Sequence, residues 1–138
     1  MFSHPAMVPD WLPLLRTLTD ACPSWLAWKN VDDALEGRGD VDSAISEPDL
    51  PTAQALFCDW ARQHGSARAM VCRHLGGTSL LFACLGDGSL AEFDLMTWIA
   101  FRGGMLLCTH RLVPLAVTDP RGFRRLRPGV EAAMLLLF

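Results

Sequence analysis

The chain has 138 residues, the length of one ordinary domain, and a domain of that size buries roughly two-thirds of the surface its unfolded chain exposes. A net charge of −3 and a pI near 5.7 argue against a sequence-independent nucleic-acid binder, which needs a broad basic surface. Apolar residues make up 51% of the chain, a slight surplus that suits either a densely packed core or a face shared with a protein partner or a second copy.

Five cysteines, Cys22, Cys58, Cys72, Cys84 and Cys108, are scattered without a CxxC pair and read as reduced, small core hydrophobes. Cys72 and His74 would point the same way on a strand, but no second pair at zinc spacing accompanies them. No cationic segment followed by an apolar run opens the chain, and no apolar stretch approaches the ~20 residues of a membrane span, so a cytoplasmic protein is expected.

In chain order, Met7 to Cys22 carries Trp11, Leu12, Leu14, Leu15 and Leu18 on a helical stripe that Asp10 or Pro9 starts and Pro23 ends. Trp25–Lys29 reads as a buried strand, Asn30 to Gly39 as a polar connection, and Asp40–Ile45 as a second strand. Asp49, followed by Pro51, predicts a helix N-cap, and the helix runs to His64 with Gly65 as its stop. Three strand-like runs follow, Ala69–His74, Ser79–Leu85 and Leu90–Met96, joined by hairpin turns at Gly76-Gly77 and Gly86-Asp87-Gly88. Arg102-Gly103-Gly104 precedes a short strand, Met105–Cys108. Thr118–Pro128, with Arg121, Arg124, Arg125 and Arg127, reads as a solvated loop, and Val130–Phe138 as a last helix. The order predicts a single α+β domain over 1–138, a mixed sheet with helices packed on one face.

Chemistry concentrates on three acids. Asp40 and Asp42 are one residue apart on a predicted strand, so both carboxylates project to one side. Like charges so placed repel unless a cation or proton lies between them. Asp94 sits between Phe93 and Leu95 in an apolar strand, where a lone acid is costly to bury; Glu92 lies on the same face. Hard oxygen ligands of this kind suit Mg²⁺ or Mn²⁺. The same residues also admit a plainer reading: Asp40 and Asp42 in a turn bonding nearby backbone N–H groups, and Asp94 paired with Arg73 or Arg102. His4, His64, His74 and His110 have no Ser or Cys partner readable from spacing.

Gly39-Asp40-Val41-Asp42 on a second strand, with Phe93-Asp94-Leu95 on a later one, resembles the pattern of the nucleotidyltransferase superfamily typified by DNA polymerase beta. In that family a Gly-Gly/Ser turn stands about nine to thirteen residues before an Asp-x-Asp/Glu. Counting back nine residues from Asp40 reaches Trp28-Lys29-Asn30. The later stretch, with Trp98, Gly103-Gly104 and Pro128-Gly129-Val130-Glu131, is similar to small nucleotidyltransferase-like proteins. The resemblance covers about residues 24 to 138. It implies that Asp40, Asp42 and Asp94 form a catalytic metal site for Mg²⁺ or Mn²⁺, with a nucleoside triphosphate as substrate and a hydroxyl-bearing acceptor. The departure is the turn, where Lys29-Asn30 replaces Gly-Ser. Lys29, Asn30 and Arg38 are then the residues expected to hold phosphate. A catalytically inactive module of the same fold, serving binding or regulation, is the competing implication.

Overall fold

The computed structural model describes residues 8–74, 77–101 and 104–137. Its helices are α1 (Leu12–Ala21), α2 (Val31–Leu35), α3 (Leu50–Gln63) and α4 (Pro128–Leu135). Its strands are β1 (Leu26–Lys29), β2 (Val41–Ala44), β3 (Ala69–His74), β4 (Thr78–Cys84), β5 (Leu90–Met96), β6 (Trp98–Phe101), β7 (Gly104–Cys108), β8 (Ala116–Thr118) and β9 (Arg124–Leu126). The main sheet is mixed, in the order β3-β4-β5-β2-β1-β9-β8, and β6 and β7 form a separate two-stranded ribbon. Two of its pairings, β2 with β5 and β1 with β9, are parallel; the others are antiparallel. The α+β expectation therefore stands as a mixed α+β fold.

The two faces of the sheet are covered differently. On one, α1 and α3 press Leu14, Leu15, Leu18, Phe57 and Trp60 onto Ala27, Val41, Leu81, Phe93 and Leu95. Trp11 stacks on Trp60 with ring centroids 4.7 Å apart, which closes this core beneath the two helices. On the other face, Leu26, Trp28, Ala44 and Leu126 pack with Ile99, Leu112 and Met134. Helices thus cover both faces rather than one, because α4 brings Met134 and Val130 onto the side opposite α1 and α3. Toward the β3 edge that second face is open, and Met70 and Leu90 are exposed.

Local chemistry moves several boundaries. The first helix begins at Leu12, behind Trp11, slightly later than the start expected at Pro9 or Asp10. Asp49 stands at the N-cap position of α3, but its side chain makes no capping hydrogen bond there. A 3-10 turn over Glu47–Asp49 runs straight into the helix, and the Asp49 carboxylate instead accepts from the Ser24 N–H at 3.1 Å and its hydroxyl at 2.5 Å. The segment expected as a polar connection contains α2, whose Val31 and Ala34 are buried in the core. The expected arginine-rich loop contains β9, and Arg125 within it is only 8% exposed. The Gly76-Gly77 and Arg102-Gly103-Gly104 turns fall partly outside the described residues; Gly77 has a φ of +68°, and β3 and β4 pair as an antiparallel hairpin around that turn.

Candidate functional site

Two neighbouring strands build the site. Side chains alternate along a strand, so Asp42 and Ala44 of β2 face α4's side of the sheet while Val41 points into the α1–α3 core. On β5, Phe93 and Leu95 enter that same core, which sends Asp94 and Glu92 to the acid-bearing face. The parallel register pairs Asp42 with Asp94, and β1 pairs Lys29 with Asp42, so three charged residues form one row across three strands. The Ser43 hydroxyl donates to the Asp94 carbonyl at 2.7 Å and pins that register. Asp40 lies just before β2. Gly39, with a φ of +82°, supplies a left-handed turn that L side chains rarely adopt and so swings Asp40 toward the other two acids.

One ligand oxygen from each of Asp40, Asp42 and Asp94 lies within 4.8 Å of the others, the single such group among the described residues. Asp42 is 8% and Asp94 7% exposed. Burial, the Asp40 hydrogen bond, and the charges of Asp40, Glu92 and Asp42 push the Asp94 carboxyl up to about 9. Burial pushes Asp42 up to about 6, against the pull of Lys29. Glu92 is raised by burial and by its hydrogen bond with Asp40. Asp40 goes the other way. Burial opposes its ionisation, yet bonds from Asp94, from its own backbone and from Glu92, together with the Lys29 charge, hold it below the usual carboxylate range. Arg73 is not the counter-ion of Asp94: it pairs across the ladder with Ser79, which pairs with Leu95, and so lies on the opposite face. Arg102 lies outside the described residues.

The donor set fits a hard divalent cation. The three carboxylates come from two separate stretches of backbone, and Asp94 Oδ1 is buried without a hydrogen-bond partner. An orphaned buried acceptor beside two further acids is costly, and a cation among them removes both the repulsion and the missing contact.

The residues expected to hold phosphate separate into two groups. Lys29 is close enough to lower both Asp40 and Asp42, and its Nζ lies 4.8 Å from the Trp28 ring centroid. Asn30 follows at the tip of the β1–α2 turn with a φ of +56°, the only positive φ of a non-glycine among the described residues. Asn tolerates this left-handed region better than most side chains, so the turn keeps the backbone form that a glycine would serve. Arg38 stands apart. It is exposed and ion-paired at 2.7 Å to both Asp33 and Glu36.

A second charged cluster adjoins the turn and was not legible as one in the sequence. Arg125 holds Asp32 of α2, Asp119 of the β8–β9 turn and Glu131 of α4 at 3.1–3.2 Å. Arg121 joins Asp119 at 2.8 Å and Asp32 at 2.5 Å. Arg124 donates to the carbonyls of Thr19, Cys22 and Trp25. These arginines are internal ties rather than a solvated run. Their partners lie as far as 105 positions away in the chain, a separation no local pattern reveals. Among the described residues no helix is long and apolar enough to cross a membrane. Comparison with protein-family models, with curated proteins and with solved structures finds no match to this chain.

Proposed function

We propose that the protein is a Mg²⁺- or Mn²⁺-dependent nucleotidyltransferase of minimal build, moving a nucleoside monophosphate from a triphosphate to a hydroxyl acceptor. The observation that carries this reading is the convergence of Asp40, Asp42 and Asp94 within 4.8 Å, with an orphaned buried oxygen on Asp94. It is supported by the resemblance of the Asp-x-Asp and Phe-Asp-Leu motifs to the nucleotidyltransferase pattern, because these acids adjoin on paired strands.

In this reading Asp40 and Asp42 would hold the cation beside the triphosphate, and Asp94 would complete the ligand set. A bound divalent ion would supply the positive charge that offsets what develops on the α-phosphoryl group. Lys29, beside the acids, adds a fixed charge for the phosphates and keeps Asp40 ionised. Glu92, hydrogen-bonded to Asp40, extends the acidic surface toward the open end of the sheet, where an acceptor has room to approach.

One observation favours a second reading, a catalytically inactive metal-binding or regulatory module of the same fold. Asn30 replaces the Gly-Ser of the phosphate turn, and its backbone N–H already donates to Glu131 Oε1 at 2.7 Å. Thermal melting with Mg²⁺ or Mn²⁺, alone and with each nucleoside triphosphate, separates the two. Stabilisation that rises with cation and rises further with nucleotide supports the enzyme, and Asp40→Asn with Asp42→Asn should abolish it. A cation response with no nucleotide response supports the module, and no response to any cation removes both.

A further inference from the structure

We propose that Glu131 is a positioning residue, which sets the β1–α2 turn through the Asn30 amide and thereby holds Lys29 against the acid site. This rests on the nucleotidyltransferase reading of that site.

A chain of short contacts joins Glu131 to Lys29. Lys29 is the last residue of β1, and the strand ladder places it opposite Asp42. The residue after it must take a left-handed backbone so that α2 can start at Val31. A non-glycine residue is strained in that conformation and keeps it only where surrounding contacts over-determine it. Here they do. The Asn30 carbonyl accepts from Ala34 N–H at 3.1 Å, and its N–H donates to Glu131 at 2.7 Å. Glu131 is in turn held by Arg125 at 3.1 Å, and the same guanidinium grips Asp32 in the first turn of α2. Arg125 is thus tied to both sides of the turn, directly through α2 and indirectly through Glu131. The Glu131 side chain is 13% exposed, so its carboxylate is committed to these two partners rather than to solvent. With the amide occupied by a protein carboxylate, the triphosphate is left to the cation and to Lys29, and the placement of Lys29 decides nucleotide affinity.

The experiment compares wild type with Glu131→Gln and Glu131→Ala. It reads three quantities: stabilisation by Mn²⁺ alone, stabilisation by Mn²⁺ with each nucleoside triphosphate, and the hydrogen-exchange rate of the Asn30 amide by NMR. Glu131→Ala should leave the Mn²⁺ response within about twofold of wild type and weaken the nucleotide response by about tenfold or more. It should also accelerate Asn30 exchange. Glu131→Gln keeps an oxygen that can accept from the amide, so it should recover most of the nucleotide response. A merely structural residue would lower the cation and nucleotide responses together, and that result overturns the proposal. So does tighter, cation-independent binding of nucleotide by Glu131→Ala, which would make Glu131 a plug in the phosphate place. Should wild type answer to Mn²⁺ but to no nucleotide, the functional reading falls. The positioning role then stands or falls on Asn30 exchange alone, with an unchanged rate in Glu131→Ala sinking it.

Discussion

Two clusters of charge lie on either side of the β1–α2 turn, and they are built on opposite terms. The clasp sets Arg121 and Arg125 against Asp32, Asp119 and Glu131, with ion pairs between 2.5 and 3.2 Å. Two of its carboxylates are stabilised as anions: hydrogen bonds from Arg121 hold Asp119 and Asp32 well below the usual carboxylate range. The acid site gathers Asp40, Asp42, Asp94 and Glu92 with Lys29 as the charge that offsets them. Three of these four carboxyls are pushed upward. Arginines neutralise the carboxylates of the clasp, whereas Lys29 alone offsets the acids, and that imbalance is what the proposed cation reading rests on.

The largest effect expected is at the clasp. Arg125→Met leaves the buried Glu131 without its cation and Asp119 with Arg121 alone, and breaking such a pair costs about 3–5 kcal/mol. Urea denaturation measures it, and a loss below 1 kcal/mol would mean the clasp is no more than surface decoration. Next comes Asp94→Asn at the other cluster. It replaces a carboxyl that must take up a proton to be buried at pH 8 with an amide that is neutral at every pH, so stability at pH 8 should rise by about 1–3 kcal/mol. The same variant should lose its Mn²⁺ response. A destabilised Asp94→Asn with the response intact would place the cation elsewhere.

The pH dependence sets the two clusters against each other. Asp42 and Asp94 bind protons more tightly folded than unfolded, so their contribution is present at low pH and lost as pH rises through about 6 and then about 9. Asp32 and Asp119 are depressed, so theirs is present above the ordinary carboxylate range and lost as pH falls below it. Cation-free protein should therefore be most stable near the ordinary carboxylate value, about pH 4, and weaken steadily toward pH 9. Saturating Mn²⁺ should flatten or reverse the alkaline fall, because the cation competes with protons for the same oxygens. Melting curves across pH with and without the ion test this, and an alkaline fall that ignores the ion would separate the acids from cation binding. The smallest effect is at Arg38. Its pairs with Asp33 and Glu36 are exposed, and pairs of that kind contribute little. Arg38→Ala should leave the melting midpoint and the nucleotide response unchanged.

The sequence exposed the acids because their chemistry conflicts with their surroundings. A doubled aspartate on a strand and an aspartate between Phe93 and Leu95 are each anomalous on local grounds alone. The clasp escaped for the reverse reason. Arg125 lies among three other arginines in a Gly- and Pro-bearing stretch, and the carboxylates that neutralise it come from α2, the β8–β9 turn and α4. The short strands escaped as well: β8 and β9 have three residues each, too few for a period-2 pattern to emerge. α2 is a single turn and a half whose helical form is held by Asp32, Ala34 and the αL residue before it rather than by its own propensity.

The parallel pairing of β2 with β5 has a consequence for when the acids can act at all. Ser43 and Asp94 stand 51 positions apart, and the chain between them must first lay down α3 and the β3–β4 hairpin. Such long-range pairings form late and slowly. A ribosome-bound or proteolysed chain that ends before residue 94 carries Asp40 and Asp42 but not Asp94, so under the proposed reading cation binding would be a property of the finished sheet. Titration with Mn²⁺ would then double as an assay of whether this protein has finished folding.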